Sequence, residues 1–189
     1  MLSFILSTIF IAIITLIFVK SIFFLLITYK YLKYEKFVSF EDYKVFTIET
    51  PKELGVFSIF PDIIVFSKAF KEKLNEEEFK AVSYHEIGRL REGHNLILII
   101  LEFAFVVLCY AIYFSDVSNK FLTLILFLVI FNAICIIIST ILELQADFYA
   151  CKKGYKDGLL SALTRLKYLA NFGNRFIINF RIKVISAFF

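Results

Sequence analysis

Residues 75–94 read Asn75-Glu-Glu-Glu-Phe-Lys-Ala-Val-Ser-Tyr-His85-Glu86-Ile-Gly-Arg89-Leu-Arg-Glu-Gly-His94. Asn75 followed by Glu76, Glu77 and Glu78 is a helix start, because acidic side chains in a first turn oppose the helix dipole. Phe79, Val82, Ile87 and Leu90 give that helix an apolar face, and it is expected to run directly into the apolar stretch that follows. Residues four apart share a helix face, so two histidines at that spacing can hold one Zn²⁺ while a glutamate beside the first activates bound water. His85 and Glu86 fit the pattern, but Arg89 stands where the second histidine would be.

A His-Glu pair alone is weak evidence of chemistry, and its context is what strengthens it. Downstream, Leu96–Phe114 and Phe121–Leu142 are each long enough to cross a hydrocarbon core, which takes about 20 apolar residues. The short polar link 115–120 makes them an expected antiparallel hairpin. Glu143-Leu-Gln-Ala-Asp147 then continues the helix with two carboxylates one turn apart, the pattern of a third ligand and its supporting partner. A further apolar stretch, Leu2–Tyr29, brings the expected spans to three, and without a basic leader or a small-residue cleavage signal it reads as a retained anchor.

Composition agrees with a membrane class: 60% of the 189 residues are hydrophobic and mean hydropathy is +0.79, beyond what a soluble domain tolerates. The net charge of +4 carries no nucleic-acid signature, because the basic residues flank the spans and set orientation. All 21 Lys and Arg except Lys20 and Lys120 fall on one side, which puts the N-terminus outside and the bulk of the chain in the cytoplasm. Cys109, Cys135 and Cys151 lack the spacing of a zinc knuckle or disulfide framework. Between the first and second spans, Tyr43–Ile48, Val56–Ile59 and Ile63–Ser67 read as strands; after the third, Leu159–Ala170 reads as a basic amphipathic helix and Phe176–Phe189 as a segment for the membrane surface.

The chain resembles the HtpX-like membrane zinc metallopeptidases, gluzincins related to the type I CAAX prenyl proteases and the antibiotic-sensor peptidases. The likeness covers about Gly55 to Ala150 and rests on Ile63-Ile-Val-Phe-Ser, Leu74-Asn-Glu-Glu-Glu-Phe-Lys-Ala-Val, His85-Glu86-Ile-Gly, and Glu143 with Ala146-Asp147, in that order around a spanning hairpin. It implies a mainly α integral membrane protein with a small α+β zincin-like cytoplasmic domain. Residues 1–29 would be the anchor, 30–94 the strands and the HExxH-like helix, 95–142 the hairpin, and 143–189 the second motif and a basic C-terminal region. It further implies that His85 and Glu143 are zinc ligands, Glu86 the general base, and Asp147 the partner that orients His85. An edge strand, with Ile63–Ser67 as candidate, would take up a peptide or membrane-protein substrate by strand addition. The family's downstream His-Pro and Arg element is not visible, leaving Arg175 or Arg181 as stand-ins for its charge.

Arg89 divides the functional readings. A guanidinium cannot ligate zinc, and a unit charge ~4 Å from Zn²⁺ is repelled by roughly 8 kcal/mol at an effective dielectric of 20. Either Arg89 swings away and water completes a weakened zinc site, or its guanidinium sits between Glu86 and Glu143 in place of the metal. His94 is no substitute on a continuous helix, since nine residues carry it to the opposite face and ~13 Å along the axis. Three readings stand: a cytoplasm-facing zinc endopeptidase, a catalytically silent homologue that binds or regulates a membrane partner, and a structural membrane protein with an accidental His-Glu pair. Lys20 and Glu102, the ionisable residues inside the spans, are expected to pair or to snorkel separately. Tyr84 is expected to pack rather than react.

Overall fold

A computed structural model describes residues 5–16, 18–19, 22, 37–49, 56–59, 61–169 and 172–189. Among these the elements are α1 (Ile5–Leu16), β1 (Phe37–Phe40), β2 (Tyr43–Ile48), β3 (Val56–Ile59), β4 (Ile63–Ser67), α2 (Lys68–Lys71), α3 (Glu76–Arg91), α4 (His94–Phe114), α5 (Lys120–Lys152), α6 (Lys156–Leu169) and α7 (Phe172–Phe188). They form two compact units, one of residues 1–34 and 96–139, the other of residues 35–95 and 140–189.

The described residues of the first unit are mainly helical and apolar. Phe105 of α4 stacks on Phe127 of α5 and lies against Phe131, and Lys120 donates to the Tyr113 carbonyl at 2.8 Å, so α4 and α5 are the antiparallel hairpin the link length implies. Ile11, Cys109 and Leu124 form its buried centre, with the hydroxyls of Thr8 and Tyr113 3.0 Å apart beside it. Both α4 and α5 are long and apolar enough to cross a membrane. The expected first span lies partly outside the described residues, and Lys20, hence its pairing with Glu102, lies outside them.

The second unit carries a four-stranded sheet in the order β1-β2-β4-β3, with β2 and β4 parallel and the outer pairs antiparallel. The three expected strands are present at their expected bounds. Phe37–Phe40 is an additional strand, joined to β2 through Glu41, whose φ of 52° turns the chain. Strand β4 lies between two neighbours and all five of its residues are buried, so it has no free edge for strand addition. That expectation for Ile63–Ser67 is therefore corrected, and among the described residues the edge strand on this side of the sheet is β3.

Helix α3 packs on the sheet through Val82, Ile87 and Leu90, which join Val45, Ile64 and Phe66 in one core. Its start is fixed by a capping box in which Asn75 Oδ1 accepts from the Glu78 N–H at 2.8 Å and Glu78 accepts from the Asn75 N–H at 3.0 Å. The buried Glu78 also accepts from Ser161 at 2.6 Å and Arg165 at 3.1 Å, which ties α6 to α3. At its other end α3 does not run on into α4. Gly93 adopts φ +66°, and the Glu92 and Gly93 amides close on Gly88 and Leu90, a left-handed stop that only glycine takes without steric penalty. The expectation of one continuous helix fails at that residue.

Gly88 lets α3 approach α5. A Cβ at this position would stand 3.0 Å from the Tyr149 Cβ and 3.1 Å from the Ala146 Cα, so a larger residue would prise apart the helices bearing His85 and Asp147. Gly88→Val is expected to destabilise this unit by about 1–3 kcal/mol, read as a lowered thermal midpoint of the detergent-purified protein. An unchanged midpoint would contradict the close approach.

Candidate functional site

His85 leaves the buried face of α3 and meets two carboxylates on the far end of α5. Its Nε2 lies 3.3 Å from Glu143 Oε2, and its Nδ1 lies 2.8 Å from Asp147 Oδ1, at a short distance but off the line of the ring N–H. The four-residue spacing of Glu143 and Asp147 puts both carboxylates on the α5 face turned to His85, as the sequence pattern implies. Glu86 projects beside it and is 2% exposed, with one carboxylate oxygen, Oε2, buried and unpartnered.

Two guanidinium groups complete the arrangement. Arg89 stands one turn beyond His85, with Nη1 3.4 Å from Glu86 Oε1 and Nε 3.6 Å from Glu143 Oε1. It therefore spans Glu86 and Glu143 at ion-pair distance, with the Nε hydrogen itself unsatisfied. Arg181, from the middle of α7, makes the tighter contacts. It clasps Asp147 with Nε and Nη2, each 2.7 Å from a different oxygen, and places Nη1 2.9 Å from Glu143 Oε2. Of the two stand-ins considered from sequence, Arg181 reaches the site, whereas Arg175 is exposed. Nothing local to Arg181 distinguishes it in the sequence; only the fold brings α7 across α5.

Burial makes these contacts strong, since Asp147 is wholly inaccessible and His85 and Arg181 nearly so. For His85, burial works against the charged form, but the flanking carboxylates of Asp147 and Glu143 outweigh it and push its pKa up to about 9. Burial also opposes the charge on Glu143 and Asp147, yet His85 and Arg181 hold both well below the usual carboxylate range. Arg89 and Arg181 are correspondingly held more firmly protonated by the carboxylates around them. Three cationic groups thus face three carboxylates, and the cluster is close to electroneutral with His85 protonated.

These residues do not fit a tetrahedral zinc centre as they stand. The 3.3 Å between His85 Nε2 and Glu143 Oε2 is a spacing that two ligands of one ion would also take, so the misfit lies with the guanidinium groups rather than with His85. Glu143 Oε2, the oxygen nearest His85, is also the one that Arg181 holds. Among the described residues no three His, Cys, Asp or Glu side chains form a metal-holding group. His94, which follows the Gly93 break, is buried with neither nitrogen hydrogen-bonded, and among the described residues it forms no three-donor group with His85 and Glu143. Tyr84 donates to Glu41 at 2.8 Å and stacks on Tyr155, the packing role expected of it.

The cluster forms the floor of a cleft of about 240 Å³, walled by Val56 of β3 and by Leu159, Leu163 and Leu166 of α6. Asn95 connects this floor to the edge strand β3. Its Nδ2 donates to the Ser58 carbonyl at 2.7 Å, and its Oδ1 lies 3.5 Å from Arg89 Nη2.

The model for peptidase family M48 matches residues 29–181. That is most of the chain, and the protein belongs to this family, whose activity is metallopeptidase chemistry. An accidental His-Glu pair in an unrelated membrane protein is thereby excluded. Neither the curated proteins nor the solved structures contain a significant match.

Because Asp147 has no access to water, removing its main cation leaves a buried charge. Arg181→Leu is expected to cost about 3–5 kcal/mol, seen as a lower denaturation midpoint at neutral pH. A variant as stable as the parent would contradict the clasp.

Proposed function

We propose that this protein is a membrane-anchored, HtpX-like member of family M48 in which guanidinium charge has taken the place of the catalytic zinc, leaving a pseudopeptidase that binds rather than cleaves. The observation that carries this reading is the double claim on Glu143: Arg89 and Arg181 stand at its two oxygens, where a metal would need them free. A guanidinium satisfies carboxylates with fixed, forked donors and never loses its proton, so it is a durable replacement for a metal's charge but no Lewis acid. The fold is retained around it, with the cleft open beside the β3 edge.

The partner in this reading is an extended peptide or a membrane-protein segment that adds to β3, since a free strand edge supplies unpaired backbone groups. Asn95 occupies one of those groups, the Ser58 carbonyl, and touches Arg89 on its other side, so an incoming strand would be sensed by the arginine cluster. The membrane setting rests on α4 and α5, whose most apolar windows are only 11% and 6% buried, unlike core helices of a soluble fold. With the basic residues on one side, the cluster faces the cytoplasm and the N-terminus lies outside.

A second reading, zinc-dependent endopeptidase, is supported by one observation: His85, Glu86, Glu143 and Asp147 come together as such a site would require. Substitutions at two positions separate the readings. Arg89→His should bind zinc at close to one ion per chain, while Arg89→Leu should not. Equal zinc in both variants would contradict the replacement. In a casein cleavage assay with added zinc, the parent and Glu86→Gln should be equally inactive. Cleavage by the parent that Glu86→Gln abolishes would establish the endopeptidase instead.

A further inference from the structure

Helix α7 has two apolar faces, and among the described residues only one of them is packed inside the protein. Ile185 is fully buried, and Ile178 and Ile182 pack with it against Ala150, Cys151, Leu159 and Leu163. Arg181 leaves the same side of the helix to reach Asp147 and Glu143. The opposite side carries Phe176 at 75% and Phe180 at 43% exposure, one turn apart, followed by the exposed Lys183. Phe188, in the last turn, is 74% exposed. Two phenyl rings one turn apart on an outward face incur a hydration penalty unless something covers them.

The level of the helix points to what covers it. Glu143 follows directly on Leu142, the last residue of the apolar stretch of α5, and Asp147 comes one turn later. Arg181 is bonded to both, so its guanidinium sits within about 8 Å of the end of that stretch along α5. Lys183, exposed one turn beyond Phe180, gives the aromatic stripe a positive charge suited to anionic headgroups. Aromatic rings with a basic neighbour at this height are the chemistry of an interfacial helix.

We infer that α7 lies in the bilayer interface, its Phe176–Phe180 face inserted among anionic phospholipids, and that this seat holds Arg181 on Asp147 and Glu143. The inference rests on the reading of α4 and α5 as membrane spans, and its test separates the two. The chain contains no tryptophan, so each single Trp substitution supplies one emitter. The full chain would be reconstituted in vesicles of phosphatidylcholine and phosphatidylglycerol, with and without bromine on the acyl chains. Phe176→Trp reports on α7 and Phe180→Trp repeats the measurement should the first fold poorly. Phe103→Trp, on an exposed site of α4, reports on the span, and Val38→Trp, on exposed β1, reports on water.

Bromolipid is expected to quench Phe176→Trp at least about half as strongly as Phe103→Trp, because an interfacial helix reaches ~5–10 Å into the headgroup and acyl boundary. Val38→Trp should be barely quenched, and omitting phosphatidylglycerol should weaken the effect on α7 alone. Quenching of Phe103→Trp with Phe176→Trp matching Val38→Trp overturns the interfacial seat and leaves the spans intact. Phe176→Trp shielded from both bromolipid and aqueous iodide means that protein covers the face, and this too overturns it. Absence of quenching at Phe103→Trp overturns the span reading and the inference with it.

Discussion

The site depends on one constraint: Asp147 is wholly buried and must be neutralised by whatever surrounds it. His85 from α3 and Arg181 from α7 do so at 2.8 Å and 2.7 Å, and in doing so they fix three helices against one another. An unpaired carboxylate in that position would cost several kcal/mol, so the cluster acts as a structural tie before it does any chemistry. Gly88 makes the tie geometrically possible by letting α3 lie against α5 without a side chain between them.

Given that tie, the identity of residue 89 sets the character of the cleft. Histidine there would face Glu143 and His85 with a lone pair; arginine faces them with a permanent charge. In the proposed reading the protein keeps the electrostatic balance of a metallopeptidase site, positive charge among carboxylates, with a group that cannot polarise a peptide carbonyl as an ion does. Fold and charge are inherited together, and the chemistry is separable from both.

Much of this arrangement is legible in the sequence. The β-branched and aromatic runs at Tyr43–Ile48, Val56–Ile59 and Ile63–Ser67, the Asn75 cap with its glutamates, and the His85 and Glu143 motifs are local signals that the fold retains. The pairing of Arg89 with Glu86 and Glu143 follows from helix spacing and charge. What escapes local reading is non-local. Strand order puts β4 inside the sheet and leaves β3 at its edge, although β4 is the more apolar and motif-like run. Gly93 looks like any glycine in a helical pattern until its positive φ ends α3. Arg181 is one basic residue in an apolar tail, and its role follows only from the packing of α7 on α5.

The most direct test of guanidinium in place of metal is the zinc content of the unmodified protein, purified in detergent from cells supplied with zinc and measured by elemental analysis. The account predicts far less than one zinc per chain. One zinc per chain, lost on His85→Ala, would contradict it.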